Sequence, residues 1–279
     1  MASSVRVELK VTANIPFGNS GSGLGGASPF HALTLENPPW KDWRPGQFVM
    51  MRAQWGSDGA ECARALPICR VTPQGLVLFF RNDEKTSRFI RLRQGDKVLL
   101  WGPLGNGFTL PPGKKILLLA SEEGIAPFAG LADRHPDVSR LFMLFGHGMP
   151  TACYPFDAMA SRINMEEMLT DGDGALDAFY ASMFEKMEKF RRNNGICLAC
   201  GPMKFLRDVW KKSVQINIPT QLFLSKKMIC GVGACYGCAV QQRRKTHDEA
   251  ALPLRACVNG PVFRADDIDL EPYQPGRDE

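Results

Sequence analysis

The sequence predicts an α+β multidomain chain: an N-terminal antiparallel β-barrel, a central parallel α/β layer and a small C-terminal domain organised by cysteines. Three observations carry that prediction. Short alternating apolar runs, punctuated by Pro and Gly, fill residues 1–112. Over 113–220, continuous apolar runs alternate with amphipathic helical segments. Over 221–279, Cys230, Cys235, Cys238 and Cys257 stand in the spacing C-x4-C-x2-C-x18-C.

The barrel strands come first. Val5–Val11 alternates apolar and polar residues as a half-buried strand does. Further strands are expected at His31–Leu35, Gln47–Ala53, Gly75–Arg81 and Lys97–Trp101. Between the first two lies the glycine-rich segment Gly18–Pro29. No Lys-Ser/Thr follows it and no helical pattern opens after it, so the phosphate-loop signature is absent. It reads as a flexible surface insertion.

The character changes at Lys114. Lys115–Ala120 is a continuous apolar run, as a buried parallel strand requires. A turn and a small-residue helix, Ala126–Ala132, follow it. Arg140–Gly146 repeats the strand pattern. Ala178–Arg192 reads as a helix with Phe179, Met183, Met187 and Phe190 on one face, a core stripe. Ile196–Cys200 is another buried strand and Lys204–Val214 another helix. Asp171–Gly174 lacks the other ligands of a calcium loop and reads as a turn.

The four cysteines have the ligand spacing of a plant-type [2Fe–2S] cluster. Two bridged irons need four converging thiolates, and one tight loop must supply three of them. Gly231, Gly233 and Gly237 free the backbone for that loop. Its N–H groups can then face the sulfurs and tune the potential. Disulfides are a poorer reading, since the other cysteines look buried and no secretory signal is present. A zinc site shows two C-x2-C knuckles, and one lies here. Buried structural cysteines rarely fall in a glycine-rich loop. Cys62, Cys69, Cys153, Cys197 and Cys200 remain. Cys197 and Cys200 form a second C-x2-C, but positions three apart on a strand face opposite sides, so both read as strand residues. A C-terminal unit this small is poorly stabilised by its own core, and a metal centre would contribute much of its fold.

Composition sets the outer limits. With 279 residues, 44% hydrophobic content and 23% charge, the chain reads as an ordinary globular protein of two or three domains. The net charge of +5 is mild, and groups such as Arg243–Lys245 are flanked by acids, so no nucleic-acid footprint is indicated. The run Ile116–Ala120 is far too short to span a bilayer. The N-terminus has no apolar signal core. A cytoplasmic, reducing location fits.

The order of these parts resembles the electron-transfer subunit of the two-subunit, NAD-linked dihydroorotate dehydrogenases, a branch of the ferredoxin–NADP⁺ reductase superfamily. The likeness is strongest in Pro45–Phe48, Gly102–Phe108, Cys200–Met203, Met228–Cys238 and Cys257–Phe263. The first and third are shared across the superfamily. The second, and above all the cluster loop with its Gly-Pro-Val-Phe partner, point to this branch. The resemblance implies an FAD-binding-type barrel, an NAD(P)-binding-type α/β layer and a C-terminal cluster domain. It also implies a hetero-oligomer with an FMN-containing catalytic subunit, or another redox protein, and a place in pyrimidine biosynthesis. The implied route runs from dihydroorotate through FMN, cluster and FAD to NAD⁺.

Site residues follow motif by motif. The family's flavin motif of Arg, two residues and Ser corresponds to Arg64, Ala65, Leu66 and Pro67. Arg64 can meet a pyrophosphate as a charged fork, while Pro67 offers neither hydroxyl nor N–H. The Gly-x-Gly-Thr loop corresponds to Asp83–Thr86, which keeps Thr86 and has no glycine. Gly102, at the head of the Gly102–Phe108 motif, is a further cofactor-binding candidate that the resemblance implies. The nucleotide turn keeps Gly124, Ala126 and Pro127, with Glu122 and Glu123 in place of glycines. Cys200, Gly201 and Pro202 mark the mouth of the expected nicotinamide pocket. Two carboxylates at the turn either repel a pyrophosphate or serve the helix N-terminus. These departures give a second reading, a non-catalytic iron–sulfur relay or adaptor that has lost NAD(P) binding, with or without FAD.

Overall fold

Six N-terminal strands close on themselves: β1 (Val5–Phe17), β2 (Phe30–Leu35), β3 (Phe48–Ala53), β4 (Arg64–Thr72), β5 (Gly75–Arg81) and β6 (Lys97–Leu104). The computed structural model describes residues 5–18, 28–53, 63–244 and 253–273; Cys62, Lys245 and residues 19–27 of the glycine-rich segment lie outside them. The barrel runs in the order β1-β2-β5-β4-β3-β6, antiparallel throughout. Its interior comes from residues two apart, which share a face: Leu9 and Val11, Leu33 and Leu35, Val49 and Met51, Leu66 and Ile68, Leu76 and Leu78, Val98 and Leu100.

Two barrel features differ from the sequence pattern. β1 runs on to Phe17, beyond the alternating stretch. Its first half pairs with β6 and its second with β2, and a register shift between Val11 and Ala13 marks the change of neighbour. Such a bulge breaks the alternation that a periodicity reading needs. β4 was masked in the sequence by Pro67, since proline demotes a strand reading. Pro67 lies opposite Phe48, beside register shifts, and bonding resumes at once with Ile68 N–H donating to Gln47 O at 3.0 Å.

The second part begins with β7 (Ile116–Ser121), a 3₁₀ turn (Glu122–Ile125) and α1 (Ala126–Arg134). Next come β8 (Leu141–His147), α2 (Asp157–Ala160), β9 (Asn164–Leu169), α3 (Ala175–Arg192), β10 (Ile196–Cys200), α4 (Met203–Ile216) and β11 (Thr220–Phe223). The chain ends with β12 (Ala239–Val240), β13 (Leu254–Arg255) and β14 (Val262–Arg264). The central sheet has the order β14-β11-β10-β7-β8-β9, parallel except for β14. β9 is an exposed edge strand carrying Glu166 and Glu167. Charge protects an edge from unwanted pairing and also hides the strand from an apolar-run search.

The sheet is covered on both faces. Ile116, Leu118 and Ala120 pack with α1 and the barrel; Leu117 and Leu119 pack with Phe179, Met183 and Met187 of α3 and with α4. The core stripe expected on α3 is therefore in place, with Phe190 packed at its border. Cys197 and Cys200 fall in opposite cores, as strand residues three apart should. α1 lies against the barrel because Gly130 is small: a Cβ there would overlap the Trp43 ring and stand 2.8 Å from Cys69 O. The C-terminal segment is tied in by Trp210 of α4, whose Nε1 donates to Ala265 O at 3.0 Å and Ile268 O at 3.1 Å.

Candidate functional site

The cysteine loop follows β11 and lies on the barrel. Gly231 and Gly233 have φ of +69° and +82°, open to glycine at no steric cost. Both are also places of close approach. A Cβ on Gly231 would stand 2.5 Å from Met50 Cγ of β3, and one on Gly233 2.7 Å from Val258 Cγ2, beside Cys257. The turn thus brings three cysteines to the fourth. Cys238 and Cys257 are buried, Cys230 is half-buried and Cys235 is exposed.

The thiols stand as two pairs. Cys238 Sγ lies 3.3 Å from Cys257 Sγ, and Cys230 shares a side-chain hydrogen bond with Cys235. Two sulfurs on one tetrahedral metal, each bonded at about 2.3 Å, stand ~3.8 Å apart, so the first pair suits a single iron. No three or more His, Cys, Asp or Glu side chains converge as for a lone ion among the described residues. Two thiol pairs are what a two-iron cluster divides between its metals.

The loop amides behave as the sequence suggests. Burial raises the Cys230 thiol, but the N–H groups of Val232, Cys235 and Ala234, with the Cys235 side chain, bring it down to about 6. Burial, then the neighbouring Cys238, pushes Cys257 up to about 12. Gly237 N–H faces Cys235 Sγ at 3.5 Å. The residues present therefore fit an anionic cluster. Arg255 is the supporting residue that sequence reasoning missed. Its Nη1 donates to Gly233 O at 2.9 Å and its guanidinium lies over the Tyr236 ring at 5.1 Å. Its place two residues before Cys257 was the available signal. Ile229, Val232, Tyr236 and Val258 form an exposed apolar rim around the loop, 47–62% accessible.

The flavin-motif residues lie on the barrel. Arg64 opens β4, half-buried, with Nε donating to Lys85 O at 3.1 Å. Ala65, Leu66 and Pro67 follow on the same strand, opposite Met50, Val49 and Phe48. Arg64 thus touches the turn at 83–86, which brings the two segments together. That guanidinium at the barrel rim fits a diphosphate. Thr86 is buried, and its hydroxyl donates to Arg81 O at 2.5 Å and accepts from Asp83 N at 3.0 Å. Gly102 lies in β6, where a Cβ would stand 2.8 Å from Val49 Cγ1.

The nucleotide-motif residues meet at the C-terminal ends of β7 and β10. A Cβ on Gly124 would overlap Cys200 O and lie 2.7 Å from Gly201 N. Gly201 in turn would bring a Cβ to 3.0 Å from Ser121 Cβ. The turn and the Cys200–Pro202 corner are therefore pressed together. Ala126 and Pro127 form the buried first turn of α1. Burial, then Glu123, holds the Cys200 thiol well above its ordinary value.

Glu122 and Glu123 make interactions that neither sequence expectation contains. Arg81, at the end of β5, donates to Glu123 Oε2 at 2.8 Å and to Glu122 Oε2 at 3.3 Å. Glu122 also accepts from Gly148 N at 2.7 Å and from Tyr154 OH at 2.5 Å. Burial comes first among the causes that push the Tyr154 phenol up, followed by Glu122. Glu122 itself has φ +53°, in the left-handed region that favours glycine. Beside this network, buried His147 has Nδ1 2.6 Å from Met149 O and Nε2 2.5 Å from Glu167 Oε2.

Residues 225–269 match the family model of the iron–sulfur cluster binding domain of dihydroorotate dehydrogenase B. The electron transfer subunit of dihydroorotate dehydrogenase B (NAD(+)) from Desulforamulus reducens is 31% identical over 225 residues, 78% of this chain and 84% of that protein. The same subunit from Caldanaerobacter subterraneus subsp. tengcongensis is 28% identical over 247 residues, 87% of this chain and 93% of its own. Among solved structures, an NADH-dependent reduced ferredoxin–NADP oxidoreductase superposes with a TM-score of 0.74 at 21% identity, covering 94% of this chain and 90% of that one. Ferredoxin–NADP⁺ reductase from Plasmodium falciparum gives 0.61 at 14%, covering 78% and 96%. At those identities the superpositions speak for the fold.

Proposed function

The chain belongs to the electron-transfer subunits of dihydroorotate dehydrogenase B, and from that premise we propose that it carries a [2Fe–2S] cluster and FAD and exchanges electrons between a catalytic partner and NAD(P). The observation that carries this reading is the approach of the four thiols as two pairs, Cys230 with Cys235 and Cys238 with Cys257. These four would hold the cluster. The amides of Val232, Ala234 and Cys235 would stabilise its negative charge, and Arg255 would fix the loop. Arg64 would hold the flavin pyrophosphate, with Ala65, Pro67 and the backbone of Leu66, whose side chain fills the barrel interior, bordering the ring. Bound FAD would supply the conversion between one-electron and two-electron transfer. Gly124, Ala126, Pro127 and the Cys200–Pro202 corner would border the nicotinamide nucleotide.

The partner is an FMN-containing catalytic subunit, and the chain works in pyrimidine biosynthesis. The apolar rim of Ile229, Val232, Tyr236 and Val258 around exposed Cys235 suits a protein partner, which would exclude water where electrons cross. No helix among the described residues is long and apolar enough to cross a membrane. The buried free thiols of Cys69, Cys153, Cys197 and Cys200 suit a reducing cytoplasm. We propose a division of the chain at 1–112, 113–220 and 221–279.

The test is chemical analysis of anaerobically purified full-length protein. Iron and acid-labile sulfide should be present in equal amounts, with flavin absorbance superposed on the cluster bands. Cys235→Ser should lose the iron. Full iron retention in that variant refutes the ligand assignment, and cluster bands without flavin favour the relay reading over the enzyme.

A further inference from the structure

β7 sits where the sheet order changes direction, with β8 on one side and β10 on the other. In open α/β sheets the crevice beyond the C-terminal ends of such strands is where a dinucleotide meets the protein. Here that end holds an ion network of the chain's own making. Three kinds of donor converge on Glu122 and Glu123: the Arg81 guanidinium, the Gly148 amide and the Tyr154 hydroxyl. Guanidinium forks and backbone amides are the groups that hold phosphate oxygens as readily as carboxylates. Arg81 comes from the barrel and the glutamates from the sheet domain, so the contact also bridges the two.

We propose that Glu122 and Glu123 are an internal stand-in for the dinucleotide pyrophosphate, and that NAD(P) binds by taking Arg81 from them. The inference rests on the NAD(P) reading above and deepens it. Two further observations point the same way. Glu122 holds its carboxylate on these donors from a backbone conformation that side-chain-bearing residues avoid. The Arg81 and Glu123 side chains keep 37% and 41% of their surface open, so an incoming anion can reach the pair. In this arrangement Arg81 is the nucleotide-binding residue, and the two acids set the affinity threshold at which it is released.

The experiment is equilibrium titration of NADH and NADPH into the flavin- and iron-loaded full chain, in four forms. These are the parent, Glu122→Gln with Glu123→Gln, Arg81→Leu, and all three changes combined. Neutralising both acids should tighten dinucleotide binding by about tenfold, the scale of two partly exposed ion pairs with Arg81 that no longer have to be broken. The gain should vanish when Arg81 is also replaced. Glu123→Gln alone, at the more exposed position, should give part of the gain and serves if the double change fails to retain iron. Unchanged affinity in the Gln variants overturns the stand-in. So does a gain that persists without Arg81, because the acids would then act by repulsion alone. If the parent and every variant fail to bind either dinucleotide, the NAD(P) reading itself is wrong and the stand-in falls with it.

Discussion

Replacing Glu122 by glycine sets backbone strain against a half-buried acceptor. The left-handed φ of +53° costs a non-glycine residue roughly 1–2 kcal/mol, which glycine recovers. Glycine gives back roughly 0.5–1 kcal/mol through the extra freedom of its unfolded chain. The carboxylate, 19% exposed, accepts from Gly148 N and Tyr154 OH. Hydrogen bonds to a charged group contribute about 1.5–3 kcal/mol each. Its pair with Arg81, which is 37% exposed and keeps Glu123, adds at most about 1 kcal/mol after screening. The lost bonds outweigh the relieved strain, and water entering the vacated space recovers part of the loss. The expected result is a net destabilisation of about 2 kcal/mol, a fall of roughly 4–8 °C in Tm for a chain of this size. Thermal melts of Glu122→Gly and Tyr154→Phe beside the parent measure it. Tyr154→Phe should lose about 2 kcal/mol as well, since it removes one bond to the charged group without relieving the strain. A Glu122→Gly protein as stable as the parent, or more so, would show that strain dominates and that the carboxylate is not firmly held.

Two other outcomes are expected. Gly124→Ala forces a methyl group into the Cys200 carbonyl and the Gly201 amide, which are backbone and cannot swing aside; urea unfolding should show a loss of about 3 kcal/mol. Gly148→Ala, whose added methyl meets a side chain, the Glu122 carboxylate at 3.2 Å, and no backbone atom, should lose less. Burial pushes the Cys69 thiol from 9.0 up to about 12, so above the lower value the unfolded chain releases a proton that the folded chain keeps. Stability therefore falls as pH rises through that window, by about 1 kcal/mol over the first unit. Urea midpoints from neutral to alkaline pH should fall less steeply for Cys69→Ala than for the parent, and equal slopes would contradict the assignment.

What was legible in the sequence was what is local. The cysteine spacing, the glycines of its loop and the apolar runs of β7, β8 and β10 are patterns over a few residues, and each predicts the structure it adopts. β4 and the second half of β1 were hidden because a proline and a bulge interrupt strict alternation. The Arg81–Glu122 contact was beyond reach for a different reason. Its partners are 41 residues apart, in two domains, and nothing near Arg81 marks it as the counter-charge. Motif comparison read the two acids as repelling a pyrophosphate or as serving the helix N-terminus, because a local reading has no means of supplying their partner. Thr86 shows the same limit. Its identity matches the family motif, while its hydroxyl is committed to Arg81 O and Asp83 within its own turn.

β14 follows Cys257 by only a few residues and hydrogen-bonds to β11, the strand that leads into the cysteine loop. The electron-carrying end of the molecule is therefore stitched into the central sheet at both its entry and its exit. It is no detachable cartridge, because excising it would strip two strands from six and lay bare the flank of β10. Both strands meet the loop at the edge of the sheet where Phe223 lies beside Cys200 and Cys200 beside Ala120, so the sulfurs and the nucleotide turn leave the same side of one sheet, two strands apart.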